Sequence, residues 1–257
     1  MNVELETPLN AASTQLFPIL IGQGKLARHL HHYFHLVESP HKHFDDARDL
    51  NAPDLYRKIR EVNSIWILTS DQSIEPVMNE LKSQMIKQDI NPARYTWIHS
   101  SAATSITGMH TFHPLMTFSE DLYSLEQYKA IAFAIISDQP EVLSHRFPLP
   151  NPSFIISEEH RAFYHASAVM MSNLPILLWS LTSKEAQDRL SLDPQVFHPI
   201  LKQTLENFLK QGERALTGPI ARRDHGTIEK NLAAIAHTPL SEIYKSFLAA
   251  TAEGEKR

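Results

Sequence analysis

Two glycines in a glycine-poor chain stand two positions apart in Ile19-Leu20-Ile21-Gly22-Gln23-Gly24-Lys25-Leu26-Ala27, directly after an apolar run. Between a strand and a helix each small residue has a physical task. Gly22 permits the tight turn, Gly24 lets the backbone approach a diphosphate, and Ala27 keeps the helix against the sheet. The backbone of Gln23, Lys25 and Leu26 then belongs to a helix start, whose free N–H groups and partial positive charge attract phosphate. The bland alternative is an ordinary strand-to-helix turn. A residue that reads the ribose is expected about 20 positions further on. Asp45 or Asp46 would accept hydrogen bonds from a free ribose, whereas Lys42, His43 or Arg48 would hold a 2′-phosphate, and the basic set favours NADP over NAD.

Histidine is the other reactive type. Six of the 15 His fall between His29 and His43, and His31 with His35 has the i, i+4 spacing that can seat a metal. No carboxylate completes a motif such as HExxH, so the run reads as the polar outer face of a helix and the loop after it, and no metal is expected. His113 in His110-Thr111-Phe112-His113-Pro114-Leu115 and His165 in Tyr164-His165-Ala166 carry more. On a helix, His165 shares related sides with Val169, Ser172 and Asn173, which makes one wall of a site. An imidazole can protonate a carbonyl oxygen while hydride reaches the carbon, because its ordinary pKa of about 6.5 permits both states near neutrality. Each of these His could equally be a hydrogen-bonded structural residue. In Leu216-Thr217-Gly218-Pro219-Ile220-Ala221-Arg222-Arg223-Asp224, Arg222 or Arg223 could fork onto a carboxylate, or pair with Asp224 at the surface.

These residues need a scaffold, and the first half alternates short apolar runs with helical patterns, as a parallel sheet with crossover helices does. Strands are expected at 16–21, 64–69, 95–99 and 130–136, with helices at 25–36 and 75–87. A further strand must lie within 37–46 although Glu38, Ser39 and Pro40 are poor strand formers. After about Ser157 the spacing is helical throughout: 158–181, 194–211, 227–236 and 240–252. The stiff segment Phe147-Pro148-Leu149-Pro150-Asn151-Pro152 precedes this change. The expected architecture is an α/β Rossmann-like domain with a parallel sheet over 1–157, then an all-α domain over 158–257.

Composition narrows the chemistry. The 257 residues include no Cys, which removes disulfides, thiolate nucleophiles and Cys-bound metals. Twenty-four Lys plus Arg against 29 Asp plus Glu give a net charge of −5, so neither nucleic acid nor an anionic membrane is an expected partner. Residues 1–14 lack a secretory pattern and the longest apolar run is far short of a bilayer span, so a cytoplasmic protein is expected.

Several segments in this order resemble a known family: the Gly-x-Gly-x-x-Ala start, Leu68-Thr69-Ser70-Asp71-Gln72-Ser73-Ile74, His113-Pro114-Leu115-Met116-Thr117-Phe118, Tyr164-His165-Ala166 leading to Ser172-Asn173, and Leu216-Thr217-Gly218-Pro219-Ile220 with Arg222 and Asp224. The chain resembles Rossmann-like proteins with a helical C-terminal domain in the 6-phosphogluconate-dehydrogenase-like superfamily, among them the alternative class of ketopantoate reductase. The resemblance implies NADPH-dependent reduction of a small keto acid, 2-dehydropantoate, in a homodimer. It implies that Ser70 and Asp71 join the glycine turn at the cofactor and that the substrate lies in a cleft between domains. Related enzymes polarise the substrate with a Lys and an Asn on the first interdomain helix; His165 and Asn173 occupy comparable places. His165 then becomes the proton donor with His113 as second choice, Ser172 and Asn173 orient the substrate, Arg222 engages its carboxylate, and Thr217 is a further substrate-binding residue. Where Arg223 stands, the family often carries Gly. A nucleotide-sensing module without turnover, or a dehydrogenase for another small acid or an imine, are the competing readings.

Overall fold

The computed structural model describes residues 15–254; the 1–14 segment, on which the expectation about a secretory pattern rests, lies outside them. The chain divides into two compact units, Met1–Ala168 and Val169–Arg257.

In the first unit the elements run β1 (Pro18–Ile21), α1 (Lys25–Leu36), β2 (Lys42–Phe44), α2 (Pro53–Ile59), β3 (Ser64–Ile67), α3 (Asp71–Lys87), β4 (Thr96–His99), β5 (His110–Pro114), α4 (Leu125–Lys129), β6 (Phe133–Ile136), α5 (Pro140–His145) and β7 (Ser153–Ile155). They form one sheet in the order β2-β1-β3-β4-β5-β6-β7. Neighbours among β1 to β5 pair in parallel, but β6 pairs antiparallel with β5 and β7 parallel with β6, so the last two strands oppose the rest. The sheet is thus mainly parallel, as expected, with its last two strands reversed. The physical reason is the link from β5, which carries only the short helix α4 and returns beside the strand it left instead of crossing over the sheet.

Strand periodicity explains the core. Ile19, Ile21, Ile65 and Ile67 point to one face and pack with Leu55, Tyr56, Met78 and Leu81 of α2 and α3. Leu20, Trp66, Ile98 and Phe112 point to the other and meet Leu30, Tyr33 and Phe34 of α1 with Tyr128 of α4. Both faces are covered, so β1, β3 and β6 are buried at every position and, apart from Ser64 at the start of β3, are apolar. Trp66 is fully buried, and Trp66→Ala would cost about 3–5 kcal/mol. Pro18 is tolerated because it opens its strand. The weak segment before Asp45 does hold a strand: β2 lies at the sheet edge and buries only Phe44. The result is a doubly wound, Rossmann-like sheet.

The second unit continues α6 (Arg161–Leu190), which begins in the first, and adds α7 (His198–Gln211), α8 (Gly218–Ala221), α9 (His225–Ala234) and α10 (Leu240–Gly254). The polar 216–224 segment contains the single turn α8, then Arg223 at φ 56, in the left-handed region that favours Gly. Asp224 caps α9, accepting from the Thr227 backbone at 3.0 Å and from its hydroxyl at 2.7 Å. Between residues 169 and 251 only Ser241 is buried, and no apolar side chain is. Among the described residues no helix is long and apolar enough to cross a membrane.

Candidate active site

The strand order reverses direction of growth at β1, with β2 on one side and β3 on the other, and α/β sheets bind ligands beyond the strand ends at such a point. A cleft of about 480 Å³ opens there. Gly22, Gln23, Gly24, Lys25, Leu26 and Ser70 line it, as the sequence leads one to expect; Ala27 is fully buried beneath, against the sheet. Asp71 does not line the cleft. Its negative charge raises the proton affinity of His99 and His113, against the larger lowering by burial.

Gly22 is required by its surroundings. Its φ is +146°, and a Cβ there would sit 2.4 Å from the Leu68 carbonyl oxygen. Its N–H donates to Phe44 O at 3.0 Å, and His43 Nε2 donates to its carbonyl at 2.9 Å. Gly24 differs: a Cβ would meet nothing within 4 Å, so no contact inside the chain explains the residue. It is the N-cap of α1 and no side chain caps that helix, which leaves the first N–H groups to other acceptors. Lys25 at the rim pairs with Glu120 at 3.0 Å.

The 2′-phosphate candidates separate. Lys42 pairs with Glu61 at 2.5 Å, and His43 is committed to Gly22 O. Arg48 lines the cleft with its side chain 82% exposed, 3.6 Å from Asp46. Thr69, which sequence reasoning quoted only inside a longer motif, lines the same cleft with a buried hydroxyl that has no hydrogen-bond partner. The buried hydroxyls of Ser100 and Ser101 after β4 also lack partners. Their position just past the C-terminal end of a parallel strand was the available signal.

A second group of reactive side chains joins β5 to the start of α6. Tyr164 Oη and His113 Nδ1 are 2.7 Å apart with their rings nearly perpendicular. Burial pushes Tyr164 up to about 12; burial first, then the neighbouring His165, pushes His113 down to about 4. Beside them His165 Nδ1 is buried with no partner. Arg161, the first residue of α6, grips both carboxylate oxygens of Glu158 at 2.8 and 2.9 Å and donates to Thr104 O at 2.8 Å and to Thr111 Oγ1 at 3.1 Å. Thr111 Oγ1 also lies 3.1 Å from His99 Nε2. Because His99 Nδ1 accepts from the Ser101 backbone, Nε2 carries the proton and donates to Thr111.

In the second unit, Ser172 Oγ donates to Asn173 Oδ1 at 2.8 Å on an exposed face of α6. Thr217 is the N-cap and Arg222 the C-cap of α8, both exposed.

The histidine run is not one outer face. His29 is buried, donating to Ser119 O at 3.1 Å while Tyr128 bonds its Nδ1 at 2.8 Å. His31 stacks on His43 with centroids 4.2 Å apart and approaches His41 to 2.9 Å, Nδ1 to Nε2.

Residues 148–251 match a family model described as a domain of unknown function (DUF2520). No curated protein matches the chain. Among solved structures, protein TM1727 from Thermotoga maritima superposes with a TM-score of 0.68 at 23% identity, covering 93% of this chain and 100% of that one. BF3122 from Bacteroides fragilis, described as an NADP oxidoreductase, gives 0.64 at 20% identity over 93% and 98%. The 1-pyrroline-5-carboxylate reductase of Streptococcus pyogenes gives 0.53 at 14% identity over 94% and 98%. At these identities the likeness establishes the fold: a Rossmann-like sheet domain followed by a helical one.

Proposed function

We propose that this chain is an NADPH-dependent reductase of a small 2-keto acid, with 2-dehydropantoate the first substrate to test. The observation that carries the reading is the cleft at β1 and β3, where a sterically obligatory Gly22, an open Gly24, an unpartnered Thr69 hydroxyl and an exposed Arg48 surround one space. These residues fit a phosphorylated dinucleotide. The backbone at 22–26 would take the diphosphate, and Arg48 would fork onto the 2′-phosphate. A reduced nicotinamide, when bound, supplies hydride.

The chain supplies the proton. His113 is held neutral by burial and Tyr164 keeps its proton throughout the neutral range, so neither is matched to acid catalysis near pH 7. His165 is the better donor: its Nδ1 is buried and uncommitted. It delivers that proton to the substrate oxygen as the carbon is reduced, while the His113–Tyr164 pair fixes the local geometry. Arg222, Thr217, Ser172 and Asn173 keep the substrate roles that the resemblance implies. The named likenesses to an NADP oxidoreductase and to a pyrroline-carboxylate reductase support NADP-linked reduction, and the latter favours a C=N bond as the second reading.

The test is NADPH oxidation across a panel of 2-keto acids, including 2-dehydropantoate, and cyclic imines. Turnover of keto acids supports the first reading and turnover of imines alone the second. Cofactor binding without turnover replaces both with a nucleotide sensor. His165→Gln should lower kcat by about 100-fold or more with the fold intact, as loss of a general acid does. Arg222→Gln should raise KM for the acid.

We also propose a homodimer. The second unit buries no apolar side chain of its own between residues 169 and 251, while Met170, Leu174 and Leu177 form an exposed i, i+4, i+7 stripe on α6. A second copy would cover it. Sedimentation should show a dimer that Leu174→Glu with Leu177→Glu converts to monomer.

A further inference from the structure

We propose that His31, His35 and His41 form a three-histidine site for a divalent transition metal of the zinc class, with the fourth position left to water. One ring nitrogen from each of the three lies within 4.8 Å of the others. With metal–nitrogen bonds of about 2.0–2.1 Å, tetrahedral ligand atoms stand about 3.4 Å apart. The closest pair, His31 Nδ1 and His41 Nε2 at 2.9 Å, opens by about half an ångström to reach that spacing. The remaining nitrogen closes in by side-chain rotation.

The local chemistry is that of a ligand set. α1 presents His31 and His35 one turn apart on one face, and His41 arrives from the segment entering β2. His41 Nδ1 donates to the Ser39 carbonyl at 3.0 Å, so its lone pair sits on Nε2 and faces His31. Metal-bound imidazoles are oriented in this way, with the second ring nitrogen donating to a backbone carbonyl. Two rings joined nitrogen to nitrogen cannot both be cations, so the pair offers at least one bare lone pair as it stands. On binding, His31 exchanges its Nδ1 proton for one on Nε2 through solvent, a change between two neutral tautomers. No carboxylate belongs to the group, and an all-imidazole set selects zinc, copper, nickel or cobalt over magnesium and calcium. His35 is exposed and gives the ion a way in.

A metal there would tie the C-terminal half of α1 to the sheet edge. His43, stacked on His31, carries the tie to the glycine turn through its bond to Gly22 O. The inference stands apart from the reductase reading, because its test uses no turnover.

Full-length protein stripped with a chelator is titrated with Zn²⁺ by calorimetry and with Co²⁺ by visible absorption. The expected result is a single equivalent, a strong four-coordinate Co²⁺ band and a raised Tm. His35→Ala changes an exposed helix position and leaves the fold intact. It should weaken Zn²⁺ binding by more than about 100-fold, beyond the 10–100-fold that loss of an outer-shell partner costs. His41→Ala should do the same, whereas His160→Ala, exposed and outside the cluster, should change nothing. Zn²⁺ binding absent from wild type, or equally tight in His35→Ala and His41→Ala, overturns the proposal.

Discussion

Tyr164 Oη and His113 Nδ1 share a hydrogen bond of 2.7 Å that ties α6 to β5. Burial lifts the phenol to about 12 and lowers the imidazole to about 4, so at neutral pH both partners are uncharged and the bond joins two neutral groups. Tyr164→Phe leaves a buried ring nitrogen unpaired and should cost about 1–3 kcal/mol in urea unfolding. An unchanged midpoint would show that the bond is not formed.

Acid should destabilise the first unit before its carboxylates titrate. His99 and His113 are both lowered from 6.5 to about 4, chiefly by burial, and His29 and His110 are lowered too. Between those values the unfolded chain binds protons that the native state refuses. Stability is therefore complete above about pH 6.5 and falls as pH drops towards 4, by at most about 1.4 kcal/mol per pH unit for each group. Equilibrium unfolding at a series of pH values measures the slope, and His99→Gln should flatten it.

The two glycines of the turn should separate folding from binding. Gly22→Ala forces a methyl group to 2.4 Å from the Leu68 oxygen at a φ of +146°, and about 2–4 kcal/mol of stability should be lost. Gly24→Ala meets nothing and should melt like wild type, yet bind NADPH at least about tenfold more weakly if the anion approaches that backbone as its place in the turn requires. Calorimetry and thermal melts on the same samples distinguish the two effects.

In the proposed reading, cofactor choice rests on Arg48. Arg48→Gln removes a charge-assisted contact to the 2′-phosphate, so the NADPH Kd should rise about 10–100-fold while that for NADH stays within twofold. Equal weakening of both would move the 2′-phosphate elsewhere.

The fold was legible where one physical signal dominated. β1, β3 and β6 are largely apolar and fully buried, β4 carries Trp97 and Ile98 at its centre, and α1 follows a glycine turn, so local pattern marks them. β5 was hidden because His110, His113 and Pro114 break the apolar pattern, and β7 because three residues after prolines carry almost no periodicity. α2, seven residues long, is too short for a helical repeat to show. At the site, Gly22 is readable because backbone geometry restricts the residue type. The His113–Tyr164 bond joins positions 51 apart, and only the tertiary fold brings them together. Arg223 sits at φ 56, the conformation glycine would relieve, at the position where the resembled family often carries it.

That residues 169–251 fully bury no apolar side chain carries a consequence for biosynthesis. If that unit pairs with a second copy as proposed, a newly made chain carries exposed apolar helix surface, and it stays vulnerable to chaperones and proteases until it pairs. Cellular abundance should then fall steeply, not in proportion, when expression is reduced.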